Sequence, residues 1–131
     1  MTRSIFFWIL AFCMMSCGTS NPISAVITAD TTVFSVTSSG MTAYSVNGVD
    51  NPSLTLKRGS IYTFNVNAPG HPFYIKTVQS SGTGNVYSSG VVGNGSSTGP
   101  LSFDVPMNAP ATLFYDCSLH AAMSGAINVV D

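Results

Sequence analysis

The sequence predicts an all-β chain folded as an antiparallel Greek-key β-sandwich of about eight strands. Two observations carry this expectation. Short segments rich in β-branched and aromatic residues recur between polar turn signals, and beyond the first twenty residues no helix-length stretch repeats its apolar positions with a helical period. With 131 residues and a 45% hydrophobic composition, there is material for one packed core and no second domain. Only 7% of residues are charged and the net charge is -1, so no basic stripe can neutralise a phosphate backbone and nucleic acid is excluded as a partner.

The first segment, 1–20, reads as a secretory signal: Arg3 precedes an apolar run over 5–15 that is too short to span a bilayer, and small residues follow. Met14-Met15-Ser16-Cys17 resembles a bacterial lipobox, in which Cys17 would carry a lipid and become the first mature residue. Ordinary cleavage after Cys17 or Gly18 is the other reading, so a membrane enters only through a lipid anchor on Cys17. Residues 21–32 read as a linker and 33–131 as the folded domain.

Within the domain, strands are expected at 32–37 and 41–46 around Ser38-Ser39-Gly40, then at 53–57 and 60–67. In the last of these Tyr62, Phe64 and Val66 alternate with Thr63, Asn65 and Asn67, the pattern of a half-buried strand. Asn47-Gly48, Arg58-Gly59 and Asn51-Pro52 mark turns. A strand at 73–78 leads into a Gly/Ser-rich span over 80–100, with a short pairing expected at 85–87 or 91–92. Asn94-Gly95-Ser96 inside it matches a glycosylation sequon, which reads better as a plain loop tripeptide. Strands at 101–105, 112–117 and 125–130 complete the set, with Pro106 and Pro110 bracketing a turn.

Whichever way the leader is processed, Cys13 and Cys17 leave the folded domain, so Cys117 is the single cysteine of an exported domain and has no internal disulfide partner. It is a buried thiol, a metal ligand or an intermolecular link. Its surroundings favour the ligand: His120 and Met123 follow at steps of three residues, and the chain's other histidine, His71, sits in Gly70-His71-Pro72-Phe73. Thiolate, thioether and imidazole together suit copper, and two histidines, a cysteine and a weak axial methionine make the ligand set of a blue-copper centre. Zinc, the chief rival for a Cys/His cluster, does not favour a thioether in the fourth place. Asp116 could offer an oxygen, but on a strand it should point away from Tyr115 and Cys117, and is expected to face solvent.

Cys117-x-x-His120-x-x-Met123, followed by Gly125-Ala126-Ile127-Asn128-Val129-Val130, resembles the C-terminal metal loop and last strand of the cupredoxins, with an amicyanin/plastocyanin-like short loop. Gly70-His71-Pro72-Phe73 resembles the upstream histidine motif of the multicopper oxidases in the same superfamily. The resemblance covers roughly residues 41–131. It implies one type 1 copper ion held by His71, Cys117, His120 and Met123, with His120 nearest the surface. In the oxidases the upstream stretch continues to further histidines that serve an oxygen-reducing cluster. Tyr74 and Lys76 stand at those places here, and Asp116 and Ser118 flank Cys117 where that family has histidines.

With two histidines in the chain and both claimed by one copper, no second centre can be assembled, and the expectation is a protein that is not an enzyme. A monomeric one-electron carrier is expected, docking redox protein partners near His120 through Leu119, Ala121, Ala122 and Pro69. The alternative is a module that stores copper or presents a surface, with no redox role. One departure stands out: most small cupredoxins have Asn after the first histidine, tying the two ligand loops, whereas Pro72 has no N–H to donate.

Overall fold

The computed structural model describes residues 31–131. The expected signal, the lipobox with Cys17 and all but the end of the expected linker lie outside these residues. Within them, Thr32 already joins the domain, its carbonyl accepting from the Thr63 N–H at 2.8 Å.

Ten strands follow in chain order: β1 (Val33–Ser39), β2 (Ala43–Val46), β3 (Val49–Asp50), β4 (Leu54–Lys57), β5 (Ile61–Asn67), β6 (Phe73–Lys76), β7 (Val91–Val92), β8 (Thr98–Asp104), β9 (Thr112–Cys117) and β10 (Ser124–Val130). They form a six-stranded sheet in the order β3-β2-β1-β5-β8-β7 and a four-stranded sheet in the order β4-β10-β9-β6. Eight are the strands expected from sequence, β7 is the short pairing expected at 91–92, and β3 is a two-residue addition. The alternative expected at 85–87 is present as well, as a single bridge from Val86 to Lys76.

Three features differ from expectation. The sandwich is not wholly antiparallel, because β1 pairs with β5 and β4 with β10 in parallel. Between β1 and β5 the chain crosses to the other sheet to lay down β4, so the returning strand is free of hairpin geometry. Second, β8 begins at Thr98 rather than 101, with Gly99 and Pro100 paired to Val66 and Asn65. Pro100 is tolerated because β7 pairs only with Ser102 and Phe103, which leaves β8 an edge at the proline. Third, Val49-Asp50 pairs back on β2, since Asn47 (φ 50) and Gly48 (φ 85) both take the left-handed conformation of a tight hairpin turn.

Alternation places Phe34, Val36, Tyr62, Phe64, Val66, Leu101 and Phe103 on the inner face of the larger sheet. Leu54, Leu56, Phe73, Ile75, Leu113, Tyr115, Ile127 and Val129 meet them from the smaller one in a single core. Each such side chain contributes about 1.5–3 kcal/mol on burial. The sheets lock through aromatic contacts, Phe64 to Phe73 at 5.5 Å and Tyr44 to Phe73 at 5.0 Å between ring centroids. Phe73 and Tyr44 therefore fill the end of the core where β6 and β9 begin to part.

Asp116 corrects the sequence reading. It does point away from Cys117, but it is buried, 1% exposed. The outer face of β6 and β9 is roofed by the loop between β6 and β8. The Gly82 N–H donates to the Ser118 carbonyl at 2.8 Å, and the buried Lys76 Nζ donates to the carbonyls of Ser80 and Gly82 at 2.5 and 2.6 Å. Asn94 pins the same roof. Its Oδ1 accepts from the Ile75 N–H at 2.8 Å and its Nδ2 donates to the Tyr87 carbonyl at 2.9 Å, so the amide of the sequon is a loop brace.

Candidate metal centre

The strand register builds the site. β6 and β9 pair Phe73 with Cys117, so His71, two residues before β6, arrives beside the cysteine at the end of the sandwich. A turn aims it there: the His71 N–H donates to the Ala68 carbonyl at 2.9 Å, with Gly70 at φ 79 supplying the bend. β9 and β10 form the other half. Their ladder closes with the Cys117 N–H donating to the Met123 carbonyl at 2.9 Å, and the Met123 N–H turns back on the His120 carbonyl at 3.0 Å. Cys117, His120 and Met123 thus lie on one tight loop across from His71.

The three donor atoms converge. His71 Nδ1 and His120 Nδ1 are 3.1 Å apart, and the Cys117 Sγ lies 3.9 Å from the first and 3.7 Å from the second. Taking one ligand atom from each residue, the three fall within 4.8 Å of one another, so His71, Cys117 and His120 are positioned to hold a metal ion. An ion about 2.0 Å from each nitrogen and about 2.3 Å from sulfur, at trigonal angles, sets edges of roughly 3.5 Å and 3.7 Å, close to this triangle. Cys117 is buried and is the free cysteine of the described residues, while the histidines are half-buried. Met123 is fully buried. Asp116 points to the opposite face, leaving no carboxylate among the convergent donors.

No protein-family model matches the chain, and no curated protein matches it in sequence. Solved structures do match. The copper protein rusticyanin superposes with a TM-score of 0.58 at 20% identity, over 80% of this chain and 81% of that one. Rusticyanin from Thiobacillus ferrooxidans gives 0.57 at 23% identity over 80% of each chain, and a mutant of rusticyanin gives 0.59 at 21% identity over 86% of each. The chain has the cupredoxin fold.

Around the site of this cupredoxin sandwich, two residues matter that the sequence reading passed over. Tyr44 on β2 is fully buried, and its hydroxyl donates to the His71 carbonyl at 2.8 Å. Burial first, then the neighbouring Cys117 side chain and Asp116, push its phenol far above the ordinary range, so it stays a donor. Asn51 donates from Nδ2 to the Ala122 carbonyl at 2.9 Å, inside the ligand loop. The only sequence signals were an aromatic residue in a strand and an Asn-Pro turn, and neither points to a metal site.

The rim is apolar. Leu119 is 63% exposed, and Ala121 and Ala122 are exposed beside the half-buried His120, while Pro69, two residues before His71, is exposed as well. Of the convergent donors, the histidines are the ones that solvent reaches.

Proposed function

We infer that this chain is an exported mononuclear type 1 copper protein that carries single electrons. The triangle of one thiolate and two imidazole nitrogens at 3.1, 3.7 and 3.9 Å carries this reading, because that donor set suits copper and leaves out the carboxylates that zinc accepts. Met123, buried on the same loop, is assigned as the weak axial donor. Bound copper would supply the one-electron change. The chain's own part is to hold the donors still: His71 and Cys117 sit at the ends of paired strands, and the loop carrying His120 closes on the Cys117 N–H. Tyr74 and Lys76 stand where the oxidases carry further histidines, and the lack of other histidines leaves no place for a second centre, so the chain is read as a carrier and not an oxidase.

The apolar rim around His120 is assigned as the docking face for redox protein partners, with the imidazole as the electron path. With so few charges, docking should depend only weakly on salt. Export follows from the 1–20 segment, through either plain cleavage or lipidation of Cys17.

Titration of the full chain with Cu(II) tests the reading. One copper per chain, an intense visible charge-transfer band and reversible one-electron cycling with the metal retained are expected. Failure to take up copper would reduce the chain to a structural module, and release of the ion on reduction would make it a store.

A further inference from the structure

Pro72 removes the N–H through which the two ligand loops of a cupredoxin site are expected to be joined; its carbonyl keeps one link, accepting from the Ser118 N–H at 3.3 Å, and the structure adds a second route. Tyr44 and Asn51 face each other across the open end of the β2–β3 hairpin and lock through two hydrogen bonds. The Tyr44 N–H donates to Asn51 Oδ1 at 3.0 Å, and the Asn51 N–H donates to the Tyr44 carbonyl at 2.8 Å. From this unit one arm reaches each loop. The Tyr44 hydroxyl holds the His71 carbonyl at 2.8 Å, and Asn51 Nδ2 holds the carbonyl of Ala122, the residue before Met123 in the ligand loop, at 2.9 Å. Asn51 sits at φ 45, a conformation Asn tolerates better than most residues, so the backbone there also serves this geometry. Its Nδ2 lies 3.3 Å from the Thr42 carbonyl as well, which ties the β1–β2 turn to the same point.

We propose that Tyr44 and Asn51 act as one positioning unit for the metal centre, a strap that sets the separation of the His71 loop from the His120 loop. This rests on the copper reading of the site. Both arms end on main-chain carbonyls and not on the ligand rings, so the strap holds the loops while the imidazoles stay free to coordinate. Tyr44 is packed against Phe73 at 5.0 Å and Tyr115 at 6.3 Å, between the core and the ligand strands. Its hydroxyl therefore transmits the rigidity of the sandwich to His71. Partners outside the ligand set typically govern metal affinity by about 10–100-fold.

The test uses full-length chains loaded with Cu(II). Tyr44→Phe removes one arm, and with it the hydroxyl's contact with the Cys117 side chain, and keeps the ring, so the Asn51 variants carry the part of the test that touches no ligand side chain. Asn51→Gly removes the other and keeps the positive φ. Asn51→Asp keeps the acceptor for Tyr44 but has no donor for Ala122. Each is expected to bind one copper, with a shifted visible band and altered copper hyperfine coupling, and to lose the metal to a chelator up to about tenfold faster, the worth of one hydrogen bond. Asn51→Asp should behave as Asn51→Gly, and Tyr44→Phe combined with Asn51→Gly should cost less than the two losses added. Tyr62→Phe is the control: its hydroxyl accepts from the Lys57 N–H at 2.8 Å away from the site, so it should lower thermal stability and leave the spectrum untouched. Spectra and chelator kinetics of Tyr44→Phe and Asn51→Gly equal to those of the wild type, or changed only as far as Tyr62→Phe changes them, overturn the strap while leaving the copper reading intact. No copper band in the wild-type chain overturns the copper reading, and the strap with it.

Discussion

The carbonyl of Pro72 accepts a hydrogen bond from the Ser118 N–H at 3.3 Å, joining the residue after His71 to the residue after Cys117. The proline cannot donate, but its carbonyl still ties the ligand loops. What the ring adds is a fixed φ beside His71. Pro72→Ala keeps the carbonyl and releases that restriction. Copper should then leave faster, and stability should fall by about 0.4–1 kcal/mol through the freer unfolded chain. Chelator kinetics and thermal unfolding check this, and unchanged values in both would make the proline incidental.

Removing a donor should separate the three ligand types. Cys117→Ala should abolish the charge-transfer band. His71→Ala and His120→Ala should weaken copper binding by more than the roughly 10–100-fold that outer partners command, and added imidazole should refill the gap. Met123→Leu should keep both copper and colour and raise the potential, since an axial thioether is a weak donor. Visible and electron-spin spectra decide, and a native spectrum in Cys117→Ala would sink the assignment.

Burial raises the Asp116 carboxyl above its ordinary value of 3.8, against the opposing pull of Ser124, the Ser80 backbone and Lys76. The unfolded chain therefore gives up this proton first as pH rises. The charge costs stability from about the ordinary carboxylate value upward, most fully once the folded carboxyl has also ionised. Metal-free Asp116→Asn should gain in melting temperature relative to the wild type as pH climbs from about 4 to about 7. A difference that stays flat across that range would show that the burial has no electrostatic cost.

At the rim, Ala121 and Ala122 are exposed and offer no side-chain donor to a metal ion. Ala121→Glu or Ala122→Lys should leave the spectrum unchanged and slow electron exchange with an apolar-faced redox partner on the order of tenfold. Stopped-flow exchange rates read this directly. Rates indifferent to both charges would place docking elsewhere.

What the sequence by itself determined is whatever depends on neighbours along the chain. Tyr62, Phe64 and Val66 announce a strand because a period of two needs only local residues. Cys117 and His120 announce a metal loop because ligand softness and a three-residue step are local too, and the proposal of Met123 as a further donor rests on the same step. His71 was legible by elimination, as the one other imidazole. The tertiary structure decided the rest. Alternation told correctly that Asp116 turns away from Cys117, but not that a glycine-rich loop folds back over that face, held by Lys76 and Asn94. Likewise Tyr44 lies 27 residues from His71 and Asn51 lies 71 from Ala122, and each meets its partner only because the hairpin that carries both packs against the end of the sandwich. A period in the sequence says which way a side chain points; what it meets there depends on segments remote in the chain, whose approach no local pattern records.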